Sequence, residues 1–595
     1  MGGLRTDAET QTIAIPAAGA AGTGKRAKRP GARGRWGAFS AYLLAGVLLF
    51  VAYLRLSGTS QLNSDSANIL LMASDLLHGH LLLHGWYMSD VSFYPTELPQ
   101  YALLESFLGL NMQTAHVAAA MTYTLVFLLA VVLARGTGRE RGSSGRAAWI
   151  RTFIAGGIML APQFGLGVFA LDLSVGHIGT SVPLLLLWLL LDRAPARWYV
   201  PVLTALVLAW ALMADQIVYV VGIVPLALTC AVRVLAGARA DEGPWRARLA
   251  ARWYDLTLGA AAVAAAGLAW AANLLIRESG GFVMNSLPFY FVHPGNLHNN
   301  APAAWKVLQI FGADYAGLGG FQLVLAFLHL ASVLLVILAM LLVARRFLRE
   351  VSLVNQVLTV AIAANVALFL LTNAADLAAH EVAVIVPFGA ALAARVLIPA
   401  VTAGTKKTKK TKKTIRTNGP GARRLQLAAL VAGGAVLAGY TAGFGYDLAQ
   451  PNVPAANVSL ASVLEEHHLT YGLSGYWTSS SVTVDSDQRV KVRALMQYTL
   501  QPDLWMSRVD WYDPKLHYAN FVVLDSQPGG FSHWEPTWLV RKYLGRPAHT
   551  YHVGPYAIMV WDRNLLKNLP ARVPAGIAPG QFSAGQLGGL RPVHA

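Results

Sequence analysis

Cysteine is nearly absent: Cys230 stands alone in 595 residues, so no disulfide within the chain can brace a small extracellular fold. Charge is scarce too. Asp, Glu, Lys and Arg make up 13% of the chain, about half of what a soluble globular protein carries, which excludes an ordinary solvated domain throughout. Between Leu56 and Ala134 there is no Lys or Arg at all, while Asp65, Asp75, Asp90, Glu97 and Glu105 lie there. Internal repeats of the kind that mark many transporters are missing. No His/Cys spacing matches a zinc template, the HPGNLHNN run (293–300) included. Nor is a cleavable signal visible, since the first apolar run follows a long basic tail without a small-residue cleavage site.

What is present is apolar. Hydrophobic residues make up 55%, gathered in about eleven windows of the length that crosses a bilayer: 37–56, 113–134, 150–170, 180–192 (the shortest), 198–214, 217–237, 256–276, 320–343, 353–373, 381–400 and 425–444. Basic residues fix the orientation, because short loops rich in Lys and Arg stay in the cytoplasm. Arg5, Lys25, Arg26, Lys28, Arg29, Arg33 and Arg35 precede the first window, 233–252 holds five arginines, and KKTKKTKKTIR (406–416) separates the last two. The reading is therefore N-terminus in, C-terminus out, at the cell membrane. The net charge of +17 belongs to these inside loops, which anchor topology and attract anionic lipid, so nucleic acid is not an expected partner; the bilayer is. The expected organisation is a basic disordered tail (1–36), an all-α membrane bundle (37–445) whose first outer loop is 57–112, an outer α/β domain (446–567) and a flexible tail (568–595). Ala, Gly, Arg and Leu bias fits a high-GC bacterial genome.

The outer loops carry the ionisable residues, which are expensive at a membrane boundary unless they face a cavity or a partner. In 64–86 apolar residues recur at helical spacing, predicting an amphipathic helix in the interface plane with Ser64 or Asp65 as its N-cap. YPTELPQY (94–101) reads as an extended or turn segment. The second outer loop brings Asp172 and His177, the third Asp215, and the fifth Asp376, His380 and Glu381. The fourth, 277–317, is aromatic and holds Arg277, His293, His298 and Lys306. Each acid has a plain structural reading: Asp65 as a helix cap, Asp172 and Asp215 as loop residues satisfying backbone donors, Glu97 as a turn cap, His177 as an interfacial residue. Against those stands their joint placement, with acids from three separate outer loops on one membrane face.

That placement, the span count and the large first outer loop resemble the GT-C superfamily of membrane glycosyltransferases, which includes the protein O-mannosyltransferases, the aminoarabinose transferase of lipid A and the bacterial oligosaccharyltransferases. The resemblance implies a polyprenyl-phosphate-linked sugar as donor, and an acceptor (glycan, lipid or protein) with a hydroxyl. It implies Asp65 in the place of the catalytic aspartate and Asp172 in that of a second acid, which orients the acceptor, orients Asp65 or shares a divalent cation with it. YPTELP, with Tyr94 and Glu97, stands where the mannosyltransferases keep a proline-containing motif. Asp65 is followed by Ser66, where those enzymes have an acidic pair. His177, Asp215, His380 and Glu381 would line the substrate cavity. Arg277 and His293, with His298, Lys306 and His380, are the cations available to a lipid phosphate. A base at Asp65 implies single displacement with inversion. The alternatives are a transporter or flippase of lipid-linked saccharides and a non-catalytic GT-C-like envelope-assembly protein.

From 446 on, six tryptophans and many Tyr and His mark a small α/β domain. The pattern predicts a helix at 458–468, strands near 471–477, 481–485, 489–494 and 518–526, a helix at 535–544 and a hairpin through 549–562. Its aromatics suit both a core and sugar stacking.

Overall fold

The computed structural model describes residues 32–136, 145–160, 168–173, 176–240, 244–285, 289–376, 379–403, 420–527 and 533–570. The chain divides into two compact units, Met1–Val47 and Leu48–Ala595. Of the first, the described part is helical, the beginning of α1 (Ala32–Ser57). This helix reaches back into the stretch expected to be a disordered tail; residues 1–31, the Lys/Thr run and the C-terminal 571–595 lie outside the described residues.

In the second unit, α2 (Ser64–Leu77), β1 (Trp86–Met88) and α3 (Glu97–Leu108) build the first long loop, and α4 (Met112–Arg135), α5 (Gly145–Leu160), α6 (Ser181–Arg193) and α7 (Tyr199–Ala214) follow. Next come α8 (Val224–Ala240), α9 (Trp245–Ala250), α10 (Trp253–Glu278) and β2 (Val283–Met284). The bundle ends with α11 (Ala301–Ile310), α12 (Gly320–Arg345), α13 (Leu353–Leu371), α14 (Ile385–Ala403) and α15 (Pro420–Ala449). Among the described residues seven stretches are long and apolar enough to cross a membrane: Ser40–Ser57, Met112–Arg135, Tyr219–Gly237, Trp253–Glu278, Gly320–Arg345, Leu353–Leu371 and Ala379–Ile398. Ala147–Leu160 and Tyr199–Ala214 are apolar but shorter. At 13 residues, α6 rises about 20 Å, against a hydrocarbon core of about 30 Å.

The most buried helix is α14. Ala390, Ala391, Ala393 and Ala394 are all fully covered, because small side chains let neighbouring helices approach closely; a Cβ on Gly389 would lie 2.8 Å from Val336 of α12. Arg395, on the same helix, is buried and hydrogen-bonds Leu133 O of α4 (2.9 Å), Asn355 of α13 (2.8 Å) and Asp192 of α6 (2.6 Å). Its charge is paired and its donors are used, as burial of a guanidinium requires.

The C-terminal part contains α16 (Val458–Glu466), β3 (Tyr471–Ser474), α17 (Tyr476–Asp485), β4 (Lys491–Ala494), β5 (Ser507–Arg508), β6 (Phe521–Asp525), α18 (Thr537–Leu544), β7 (His549–Val553) and β8 (Tyr556–Val560). Its five-stranded sheet runs β4-β3-β6-β8-β7. β3 pairs parallel with both β4 and β6, and the hairpin β7–β8 adds antiparallel to β6 with Val523 opposite Ile558. The strand expected near 481–485 is instead the second half of helix α17: it is the crossover that two parallel strands require. The strand expected through 477 stops at Ser474 for the same reason.

A second, three-stranded sheet, β2-β1-β5, joins three distant parts of the chain. β1 from the first loop pairs parallel with β2 from the 277–317 segment and antiparallel with β5, Tyr87 facing both Val283 and Ser507. Asn285 ties the same corner, donating to Met88 O at 2.7 Å and Leu504 O at 3.1 Å.

Candidate functional site

Asp65 sits in the first turn of α2. The N-cap is Asn63, not Ser64 or Asp65: the Asn63 side chain accepts from the Asp65 and Ser66 amides. Asn63 Nδ2 also donates to Asp65 Oδ2 at 3.1 Å. Asp65 Oδ1 accepts a 2.6 Å hydrogen bond from the Tyr476 hydroxyl, which in turn accepts from Asn68 Nδ2 at 3.3 Å. Tyr476 opens α17, just past the carboxyl end of the parallel strand β3, where α/β sheets place their ligand-contacting turns. Burial lifts the Asp65 pKa above the ordinary carboxylate value, against the two hydrogen bonds that pull it down. Helix α2 is not a half-exposed amphipathic helix. Ala67 through Ser74 are all buried, because α3 and α4 cover one side and α17 the other.

Asp172 meets a different set of residues. It is fully buried at the end of a π-helical turn, Val168–Asp172, and among the described residues neither carboxylate oxygen has a hydrogen-bond partner. It lies within electrostatic reach of Tyr53 and Tyr123, whose hydroxyls donate to Leu160 O and Met159 O at 2.9 Å. Burial without a donor drives its pKa well above the usual carboxylate range. Asp65 and Asp172 share no hydrogen-bond partner.

The largest assembly of ionisable groups centres on His177. Its Nδ1 lies 2.8 Å from Asp215 Oδ2 and its Nε2 2.8 Å from Glu381 Oε2. Thr180 donates to Asp215 as well, His380 Nε2 stands 3.5 Å from Glu381 Oε1, and Asp90, Glu97 and Lys306 lie within electrostatic reach. The cluster gathers one or two residues from each of five loops at the same end of the bundle. Those loops are also clamped by their backbones: Ser92 N bonds Ala214 O at 2.8 Å, and Val91 bridges Asp215. Burial opposes the imidazolium of His177, yet the Asp215 and Glu381 carboxylates outweigh it and hold its pKa well above that of free imidazole. Burial pushes Glu97 and Asp90 each up to about 7.

Glu97 was expected in an extended stretch; it opens helix α3 instead. Pro99 is tolerated because first-turn amides have no intrahelical acceptor. A Cβ on Gly179 would occupy the space of the Glu97 carboxylate, so only glycine admits that side chain to the cluster. Gly176, at φ +88°, likewise leaves room for His380.

The remaining candidates lie apart from His177. The Tyr94 hydroxyl donates to Leu81 O at 2.8 Å, and its ring meets Phe282. Arg277 is exposed and pairs with Glu278 at 3.2 Å; His293 is exposed and accepts from Gly295 N, and His298 bonds Gly295 O. Among the described residues, no three His, Cys, Asp or Glu side chains are grouped to hold a metal ion. Sequence reasoning missed Tyr476, Asn63, Thr180 and the role of Asp90. The signal for Tyr476 was the YGLS–GYW junction, a strand followed by Gly, which reads as a βα turn once 481–485 is taken as helix.

Comparison with known proteins yields no matching family model and no matching curated protein. Solved structures do match. ArnT from Cupriavidus metallidurans, bound to undecaprenyl phosphate, aligns at TM-score 0.49 and 12% identity, covering 90% of this chain and 99% of that one. The archaeal oligosaccharyltransferase AglB from Archaeoglobus fulgidus, in complex with an inhibitory peptide and a dolichol-phosphate, aligns at 0.45 and 14%, covering 90% and 76%. Both are GT-C glycosyltransferases. This chain's own architecture is mostly helical, with seven candidate spans among the described residues and a small sheet-containing C-terminal part. At such identities a likeness transfers neither substrates nor catalytic residues, which rest on the side chains described above.

Proposed function

We propose that the chain is a GT-C-type glycosyltransferase of the cell membrane, moving a sugar from a polyprenyl-phosphate donor to an acceptor hydroxyl on the extracytoplasmic face. The observation that carries the reading is the Asp65 carboxylate: half-buried, outside the apolar spans, held at a helix start by Asn63 and met by Tyr476 from the C-terminal domain. A carboxylate offers about four lone-pair sites, so these two hydrogen bonds leave room for an acceptor O–H. In the reaction, Asp65 takes the hydroxyl proton, the acceptor oxygen bonds the anomeric carbon from the face opposite the phosphate, and the bond from that carbon to the phosphate oxygen breaks. The polyprenyl phosphate leaves with the electron pair, and the configuration inverts. Because that leaving group is already good, positioning and one proton transfer suffice.

Of the cations at this end, Lys306 lies in reach of the His177 cluster; we assign it to the donor phosphate. The cluster itself holds more carboxylates than cations and suits sugar hydroxyls rather than phosphate. Asp172, the second acid of the resemblance, is assigned no step in the transfer. The test is a transfer assay on detergent-purified protein with a panel of polyprenyl-phosphate sugars, run with and without divalent cation. Asp65→Asn keeps shape but cannot accept the proton. It is expected to lower transfer on the order of 100-fold while donor lipid still binds. Unchanged turnover would mean that Asp65 serves only the start of α2.

A further inference from the structure

We propose that the opposite end of the bundle holds a second binding site, which takes the phosphodiester headgroup of an anionic phospholipid. A cavity of about 310 Å³ opens between α8, α10 and the start of α13, lined by Arg233, Gly237, Arg252, Leu348, Arg349 and the carboxylates Asp255 and Glu350. Both carboxylates already have a partner: Asp255 pairs with Arg233 at 3.1 Å, and Glu350 with Arg346 at 3.2 Å. Arg233 is further fixed by donating to Gln356 at 2.9 Å. The Arg349 guanidinium, by contrast, is engaged by no described residue, so the free charge of the cavity is positive. Gly237 is what lets Arg252 in. A Cβ there would stand 2.5 Å from the guanidinium carbon, so the Arg252 head lies directly on the α8 backbone.

The location distinguishes a lipid from a soluble anion. Leu348 and Val351 on the rim are 70% and 88% exposed, and Trp253 beside it 42%; apolar and aromatic side chains at the level of cationic heads mark a membrane interface. The site stands at the start of α13, whereas Thr372, bridged to Phe291 of the fourth outer loop, follows its end. A helix of 19 residues separates the two by about 28 Å, so this lipid lies in the leaflet away from the His177 cluster. Basic pockets between spans are the usual receptors for anionic headgroups.

The experiment uses the full chain, delipidated in detergent and exposed to phosphatidylglycerol or phosphatidylcholine, with retained lipid counted by native mass spectrometry. Phosphatidylglycerol is expected to be retained over phosphatidylcholine. Arg349→Ala, at an exposed position that leaves the fold intact, is expected to reduce that retention about 5-fold, the value of one basic residue at an anionic surface. Millimolar inorganic phosphate is expected not to displace the lipid. Equal retention of the two lipids, wild-type retention by the variant, or full displacement by inorganic phosphate each overturns the proposal. None of these outcomes touches the transferase reading, whose residues lie at the other end of the bundle.

Discussion

At the scale of single residues, Tyr476 decides how Asp65 behaves. Its 2.6 Å hydrogen bond stabilises the ionised carboxylate against the burial that lifts the pKa. Removing it in Tyr476→Phe leaves burial less opposed, so the Asp65 pKa rises further. A base must be deprotonated to act, so the acidic limb of the pH–rate profile is expected to move up by about one pH unit, the scale of one hydrogen bond to a charged group. A purely structural Tyr476 would lower the activity at every pH without moving the limb. Gly179 offers a sharper steric test. Gly179→Ala puts a methyl where the Glu97 carboxylate lies, and overpacking of this kind costs about 1–3 kcal/mol. Thermal denaturation in detergent should show the loss, and Glu97→Ala in the same background should recover much of it by vacating the space.

At the scale of elements, seven of the eleven expected apolar spans and the strands β4, β6, β7 and β8 were legible in the sequence, because period and turn residues are local signals. Helix α17 was not. Its WTSSSVTV run is rich in β-formers, and only the parallel pairing of β3 with β4 makes a helix there obligatory; propensity yielded to topology. The burial of α2 was equally hidden, since the second surface covering it comes from a segment about 400 residues away. Asp65, Asp172, Glu97, His177, Asp215, His380 and Glu381 could be selected from loop position and charge, but which of them meet could not, because hydrogen bonding between loops leaves no pattern in the chain. The cap of α2 joins both levels: Asn63 satisfies the helix start and also holds Asp65 Oδ2. Asn63→Ala is expected to cost about 1 kcal/mol of stability and to lower transfer as well. A stability loss with unchanged turnover would separate the cap from the chemistry.

At the scale of the whole molecule, the buried acids set a pH dependence and the C-terminal domain sets the topology. Glu97 is 6% exposed, with its pKa lifted from 4.5 to about 7. Between those values the folded chain holds a proton that the unfolded chain has released, so stability falls as pH rises through about 7. Asp90 shifts the same way, and His177, raised by its two carboxylates, also favours the protonated fold. For Glu97 the effect is on the order of 3 kcal/mol. The melting temperature is therefore expected to drop between about pH 5 and about pH 8, and less steeply in Glu97→Gln. The expected orientation, N-terminus in and C-terminus out, rests on contacts and charge. The loop 57–112 has no Lys or Arg and is hydrogen-bonded to the C-terminal domain through Asp65–Tyr476, Asp75–Arg508 at 2.7 Å and the β1–β5 pairing, so the two share one side of the membrane. Arg233 on α8 and Arg345 and Arg346 at the end of α12 stand at the end of the bundle expected to lie inside, since loops and helix ends rich in Arg stay there. A phosphatase reporter fused after Tyr446 should thus be active outside, and one fused near Lys410 silent. A cytoplasmic reporter at 446 would put the basic loops and the acid-lined loops on the wrong sides together, and with them the base assigned to Asp65.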